Sequence, residues 1–596
     1  MSTLSEINAQ PKIGAPATPN YRLLRIFCWV VALALGAAEA WATRFTMNPD
    51  GISYLDIGDA YWRGDWHNAI NAFWSPLYSW ILGFFLKALK PSAYWEYPLA
   101  HLVNFLIYVA ALACFEFFLK IFIAERGRRD VELLKGGQTG LPEPAWWLLG
   151  YSLFVSSFLL LIGVGLVTPD MCVAAFISLA SALVLKIRTG DASGRTFVIL
   201  GLVLGFGYLA KAVMFPLGLV FLAMAVLAGR RSRDRFRNAT LATLTFVAIA
   251  SPFIAAISAA KGRPTFGDSG RLTYAGCIGG VDPWYPGDGG RLVCIGSGWV
   301  ENIDGPSVAQ TGSLRHPPER IFDNPPAYSF GQAITGTYTF WYDPSYWQDG
   351  IRGLFDRSTQ LQIIGQSLLI YFDLLTTVDL NILVPLLALL FISSDPIRFS
   401  TRAAEHWELL VPTATGFILY SLVHTEVRYV AAFAAILWLI AFQGLQFRES
   451  RQMRRFVTVT AVAIAVTTLA FDGKIVVDGV LAAKRAVPVY WQAATAMNDQ
   501  GAGPGEEIGT VTPEAFGTGG AFVARLARVQ IIAQVNQPDR FWSAPASTQS
   551  TVLEAFRKAG AEGVLGWKIP KSAPGWQRLG QTDYYFVKLD DPNPTK

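Results

Sequence analysis

The sequence predicts a mainly α-helical, polytopic membrane protein of about 11 spans, with a small α/β domain at its C-terminal end. Three observations carry that prediction. Hydrophobic residues make up 52% of the 596 and charged residues only 16%, against roughly 25% charged in an ordinary soluble domain. The apolar residues fall into runs close to the roughly 20 residues that a bilayer crossing needs. After residue 472 the pattern changes. EEIGTVTP, AFVARLARVQIIAQV, TVLEAFRKAGAEGVLGW and DYYFVKL alternate strand-like and helix-like periodicity. The net charge of +5 is modest, and much of the Arg sits in short clusters between apolar runs. That distribution reads as membrane topology and argues against a nucleic-acid partner.

The elements follow in order. Residues 1–21 are polar and predict a disordered cytosolic tail. Arg22 and Arg25 precede an apolar run from Ile26 to Ala42, read as an uncleaved anchor. Its alternative is a signal peptide, since Ala38-Glu39-Ala40 loosely resembles a cleavage site. Three basic clusters mark the cytosolic side: Arg126/Arg128/Arg129/Lys135, Arg230/Arg231/Arg233/Arg235/Arg237 and Arg448/Arg451/Arg454/Arg455. They share a side only if 76–90 does not cross. That stretch is short for a span and carries Lys87 and Lys90, so it reads as an interfacial helix. The spans then run at about 24–43, 97–123, 146–165, 171–187, 196–210, 213–228, 239–259, 379–393 and 408–423, with two more before 472. Residues 361–376 are expected to lie against the surface. This gives a transmembrane domain over 22–471 with large outer loops at 44–96 and 260–360, and an extracytoplasmic domain over 472–596. The 260–360 loop is rich in Gly, Pro and aromatics without helical periodicity, so it is ordered only if it packs on the membrane domain.

Within this topology Asp50, Asp170, Lys211, Glu426 and Arg428 each sit at the end of an apolar segment, all on the outer face. Ionisable groups beside hydrocarbon are costly and point to function. Each has a plainer alternative. Asp50 opens a short amphipathic helix through Ile52, Leu55 and Ile57 and suits a helix N-terminus. Asp170 suits the start of the next span in the same way, and Lys211 and Arg428 suit snorkelling to the interface. Asp56 and Asp59 fall on the polar face of the Asp50 helix and read as solvated, with Asp56 retained as a binding candidate. Cys277 and Cys294 share one polar loop and form a candidate disulfide if that loop is extracytoplasmic. There is no CxxC or HExxH and there are only five His, which argues against a zinc site.

Motif order adds a family. The first outer loop reads Asn48-Pro49-Asp50-Gly51-Ile52-Ser53-Tyr54-Leu55-Asp56-Ile57-Gly58 and later Ser75-Pro76-Leu77-Tyr78. Thr168-Pro169-Asp170, the run Gly201 to Lys211, and Glu426-Val427-Arg428-Tyr429 follow. This series resembles the GT-C membrane glycosyltransferases, in the protein O-mannosyltransferase and aminoarabinose transferase branch. That family opens its first outer loop with D-E-x-x-Y-x-x-I-A. Asp50 and Tyr54 match, and Gly51 stands where the second acid would be. The resemblance covers roughly 24–230 and 408–445, and implies a GT-C-like transmembrane core and transfer of a sugar to an acceptor.

The chemistry of the residues agrees. Nucleotide sugars stay in the cytosol, so a donor used outside it is expected to be a sugar on a polyprenyl phosphate. Lys211 and Arg428 are the candidates for its phosphate, Arg with a bidentate grip. Asp50 is the candidate base for an acceptor hydroxyl, with Asp170 assisting, and single displacement inverts the anomeric centre. Tyr54, Asp56, His424, Glu426 and Tyr429 complete the expected binding set. No cofactor is required, while a divalent cation at the acidic residues stays open. The expected partners are the donor, a glycan, lipid or protein acceptor, and the bilayer. Compact loops point to a bacterial plasma (inner) membrane, with the endoplasmic reticulum as the alternative. The rival function is a transporter, flippase or ligase for lipid-linked saccharides. Transporters place polar groups in broken helices near the midplane, whereas these charges cluster at span ends.

Overall fold

The computed structural model describes residues 21–229, 234–280, 291–295, 298–302, 314–331, 334–484, 487–512, 519–535, 537–570 and 573–589. The expected N-terminal tail over 1–20, and Arg230, Arg231 and Arg233 of the second basic cluster, lie outside them.

The chain is a multi-pass helical membrane protein. Its membrane domain comprises α1 (Arg22–Ala42), α2 (Pro49–Arg63), α3 (Pro76–Leu89), α4 (Ala93–Lys135) and α5 (Glu143–Phe154), which runs on as a π-helix over Val155–Ile162. Next come α6 (Asp170–Arg188), α7 (Gly194–Ala210), α8 (Met214–Ala228) and α9 (Arg235–Lys261). The last group is α10 (Arg357–Asp373, with a π-turn over Leu374–Val378), α11 (Leu380–Phe391), α12 (Trp407–Ser421), α13 (Val427–Gln443) and α14 (Arg451–Ala483). Among the described residues, seven helical stretches are long and apolar enough to cross a membrane. The middle of the domain is α5 and α6, buried along most of their length, while α1 and α10 expose most of their apolar surface as a bundle rim does.

Local sequence explains the short elements near the site. Pro49 and Pro76 open α2 and α3 at the first turn, where the missing N–H costs nothing and φ is pre-set. Gly64 ends α2 in the left-handed conformation (φ 81°), which glycine adopts without a Cβ penalty. The 14 residues of α3 span about 21 Å at 1.5 Å per residue, short of the hydrocarbon core. The helix packs on α2 instead, with the two backbones meeting at Gly58 and Gly83. A Cβ on Gly58 would stand 2.7 Å from the Ser79 carbonyl oxygen, and one on Gly83 2.6 Å from that of Gly58.

Two expectations change. The first concerns residues 361–376, expected to lie against the surface. They belong to a helix over Arg357–Val378 that is itself long and apolar enough to cross, with only Asp379 between it and α11. Helix α14 continues to Ala483, past the expected domain boundary at 471.

The C-terminal region forms a sheet, and the long loop joins it. The strands are β1 (Glu319–Phe322), β2 (Ala327–Ser329), β3 (Glu507–Val511), β4 (Gln530–Val535), β5 (Gly563–Trp567), β6 (Gln577–Arg578) and β7 (Tyr584–Lys588), in spatial order β6-β7-β5-β3-β4-β2-β1. Parallel pairing joins β3 to both β4 and β5, and antiparallel pairing adds β7 to β5 and β2 to β4. Helix α15 (Gly520–Ala527) connects β3 to β4, as parallel strands require a crossover. The core of the sheet gathers Val511, Ile532, Val535, Phe556 and Val564. The β1–β2 hairpin comes from the 260–360 loop, so the pairing of that loop with a domain 200 residues further on supplies its order.

Candidate active site

The five charged residues at span ends converge. Asp170 occupies the first turn of α6, whose N-cap is Pro169. Its buried carboxylate faces two cations. Lys211 Nζ donates to Oδ1 at 2.6 Å, and Arg428 Nε lies 3.6 Å from Oδ2. Lys211 is presented by a break in the helical path. It is extended (φ −158°, ψ 133°) between α7 and α8, so its side chain leaves the hairpin tip towards Asp170. Glu426 is the N-cap residue of α13, also extended, with Arg428 two residues further on in the first turn. Arg428 Nη2 donates to Glu426 Oε1 at 3.0 Å, Arg428 Nε lies 2.8 Å from Oε2, and the Tyr429 hydroxyl donates to Oε1 at 2.7 Å. The Tyr429 ring lies under the Lys211 ammonium, 3.6 Å from centroid to Nζ, a cation–π contact. Tyr420 stacks behind it at 5.0 Å.

Asp50 completes the group from α2. It lies in the first turn, behind the N-cap Asn48, which makes no capping bond. Its half-buried carboxyl lies beside the Trp341 indole and within electrostatic reach of Arg428, Glu426 and Asp170. Burial pushes this carboxyl above the usual carboxylate range, with the Arg428 charge opposing and Glu426 adding to the shift. Asn48 sets where the turn sits. Its Oδ1 accepts from the Val167 amide at 2.9 Å and its Nδ2 donates to the Val167 carbonyl at 3.4 Å. The turn bearing Asp50 is thereby stitched to the turn bearing Asp170. That contact explains Gly51, because a Cβ there would come 2.9 Å from Val167 Cβ and 2.6 Å from Met47 Sδ. The place of a second acid is filled by packing.

The remaining expected residues divide. Tyr54 is buried, with edge contacts to Trp74 and Tyr78 at 5.1 Å each. His424 is buried beside Glu426, at 3.8 Å. Burial holds its imidazole below the usual value, Glu426 opposes, and Arg428 and Lys211 reinforce the shift. Asp56 is not solvated, as its place on a polar helix face had suggested. It is 6% exposed and bonded to Thr337 and Arg525, away from the cations of the site. Tertiary contacts cover that polar face, which a single amphipathic helix cannot reveal. Cys277 and Cys294 are joined in a disulfide, and their sulfurs lie within 4.8 Å of a His424 ring nitrogen. Among the described residues this is the one trio of metal-binding side chains so close together, and the sulfurs of a disulfide are not thiolates.

Sequence reasoning passed over Asn48, Trp341, Tyr420 and Arg525. Asn48 and Tyr420 carry no signal in a single sequence. Trp341 lies in a loop without periodicity. Arg525 carried one: it is a lone charge in GAFVARLA, a helix every residue of which is buried.

No protein-family model matches the sequence, and no curated protein matches it. Solved structures do match. ArnT from Cupriavidus metallidurans in the apo state superposes with TM-score 0.51 at 11% identity, covering 94% of this chain and 98% of that one. The same enzyme bound to undecaprenyl phosphate superposes with TM-score 0.51 at 12% identity, over 96% and 98%. The Archaeoglobus fulgidus oligosaccharyltransferase gives TM-score 0.49 at 14% identity, over 91% of this chain and 68% of that one. The chain has the ArnT-like GT-C fold.

Proposed function

We propose that this protein transfers a glycosyl group from a polyprenyl-phosphate-linked donor to a hydroxyl acceptor, on the extracytoplasmic face of a bacterial plasma (inner) membrane. The observation that carries the reading is Lys211 and Arg428 meeting at Asp170, within reach of Asp50. A phosphate would replace Asp170 and Glu426 as the partner of these cations, an exchange of one anion for another that keeps the buried charges paired. The solved structure of ArnT bound to undecaprenyl phosphate, a protein of the same fold, supports a donor of that kind.

In the proposed step the acceptor oxygen attacks the anomeric carbon and the bond from that carbon to the phosphate oxygen breaks. Its electron pair leaves with the polyprenyl phosphate, held by Lys211 and Arg428. Asp50 takes the acceptor proton, a task for which a carboxyl raised above its ordinary pKa of about 3.9 is better matched. One displacement inverts the anomeric centre. A phosphate whose charge is neutralised by Lys211 and Arg428 leaves without a general acid. The test is single-turnover transfer by purified protein with a panel of defined polyprenyl-phosphate sugars, reading product anomer by NMR. Retention of configuration would exclude single displacement, and transport of the intact lipid-linked sugar without transfer would favour the flippase.

A further inference from the structure

The second concentration of buried charge lies where the C-terminal domain meets the membrane domain. Arg525, 5% exposed, uses all three guanidinium nitrogens on three carboxylates of the membrane domain. Its Nη1 donates to Asp56 Oδ1 at 2.5 Å, Nη2 to Asp59 Oδ2 at 2.6 Å and Nε to Glu96 Oε1 at 2.5 Å. Arg528 adds a second bond to Glu96. Such a cluster is a poor source of raw stability, because desolvation offsets much of the attraction. What a filled guanidinium fork does provide is a defined geometry between the elements it joins.

Those elements are not incidental. Asp56 and Asp59 belong to α2, the helix that opens with Asp50. A strap from the long loop, 337–341, runs beside the same helix. Thr337 donates to Asp56 through its amide at 2.8 Å and its hydroxyl at 2.9 Å, the Trp341 carbonyl accepts from Ser53 at 2.8 Å, and the Trp341 indole lies beside Asp50. The strap is itself bonded to β4, where the Ile531 amide donates to the Thr337 carbonyl at 2.8 Å and the Thr339 hydroxyl to the Ile531 carbonyl at 3.3 Å. Arg525 and Ile531 thus come from one helix–strand unit of the C-terminal domain. They hold α2 by two routes, one direct and one through the strap, which bonds Ser53 and Asp56 on either side of Tyr54 and passes beside Asp50.

We infer that Arg525 is a positioning residue for the transfer reaction: through it the C-terminal domain sets where α2 holds Asp50. The inference rests on the reading of Asp50 as the base. It is tested on the full-length protein in nanodiscs with Arg525→Gln and Arg525→Lys, measuring single-turnover rate, donor Kd and amide hydrogen exchange along α2. Arg525→Gln is expected to slow transfer at least tenfold, leave donor Kd within twofold, and speed exchange at Gly51 to Tyr54 at least tenfold. Arg525→Lys, which keeps the charge and loses the fork, should fall between it and wild type. A transfer rate within twofold of wild type in Arg525→Gln, or faster exchange confined to 520–535, overturns the inference. Should Arg525→Gln fail to fold, Asp59→Asn leaves two carboxylates on Arg525 and is expected to slow transfer at least threefold, and an unchanged rate overturns the proposal equally. If wild type transfers from no polyprenyl-phosphate sugar, the functional reading fails by itself, and exchange at Gly51 to Tyr54 still decides the positioning.

Discussion

The two buried ion clusters of this protein use the same residue types and differ in access. Around Arg428 the side chains of Lys211 and Glu426 are 25% and 22% exposed, and Asp50 is half-buried. Arg525 is itself 5% exposed against 14% for Arg428; its partners Glu96 and Asp56 are at 0% and 6%, while Asp59, at 27%, reaches the surface. Arg428 bonds a carboxylate two residues away in its own chain segment and lies 3.6 Å from Asp170 of α6, whereas the partners of Arg525 are 429 to 469 residues distant. A cluster whose arginine keeps one close partner in its own segment and a looser one across the chain can exchange a carboxylate for a ligand. A cluster whose arginine is spent on three carboxylates from distant parts of the chain holds elements together. Charge content alone does not separate a site from a clasp; access and the sequence distance of the partners do.

Mutations break the comparison in order of size. The largest effect belongs to Asp50→Asn, which keeps side-chain size and removes the proton acceptor. Single-turnover transfer should fall by about two to four orders of magnitude with donor Kd nearly unchanged. A fully active Asp50→Asn enzyme would remove Asp50 from the mechanism and move attention to Asp170. Next is Glu96→Gln, which strips one partner from the Arg525 cluster and leaves the guanidinium under-compensated. Such losses cost about 3–5 kcal/mol, read as a lower unfolding temperature or as protease release of the C-terminal domain. Unchanged stability would mean that the clasp is dispensable and the two clusters differ less than their burial suggests.

Smaller effects are expected on the open side. Lys211→Ala or Arg428→Ala removes a charge-assisted contact from the donor phosphate, on the order of 1.5–3 kcal/mol of binding, measured by titration with a polyprenyl phosphate. Equal donor affinity in both variants would place the phosphate elsewhere and leave the open cluster without its proposed ligand. The mildest test is pH. As the proposed base Asp50 works ionised, and burial raises its pKa against the opposing charge of Arg428. The transfer rate should therefore fall as pH drops through a value above about 3.9, the ordinary Asp range, and level off at higher pH. An acid limb at or below that value would assign the titration to another group.

Much of the open cluster was legible because its signal is local. A charge at the end of an apolar run stands out in one sequence, and Asp50, Asp170, Lys211, Glu426 and Arg428 were each visible in that way. Their alternatives were equally local, and only geometry separated them. Asp170 and Lys211 pair with each other at 2.6 Å, so the Lys211 ammonium lies in the cluster and does not snorkel away. The clasp was legible in one half only. Arg525 was a lone charge in an apolar stretch, but its partners Asp56 and Asp59 read as solvent-facing.

What the sequence by itself determined is the membrane-bound helical architecture, the α/β character of the C-terminal region and the residue types gathered at one end of the bundle. Hydrophobic periodicity and the cost of charge in hydrocarbon act residue by residue along the chain, so those features are written in order. Tertiary structure alone decided that the long loop lends a hairpin to a distant sheet, that Trp341 meets Asp50, that Val167 fills the space beside Gly51 and that Asp56 is buried. Each of these is a contact between segments far apart in sequence, and a contact of that kind leaves no period or spacing in either segment alone.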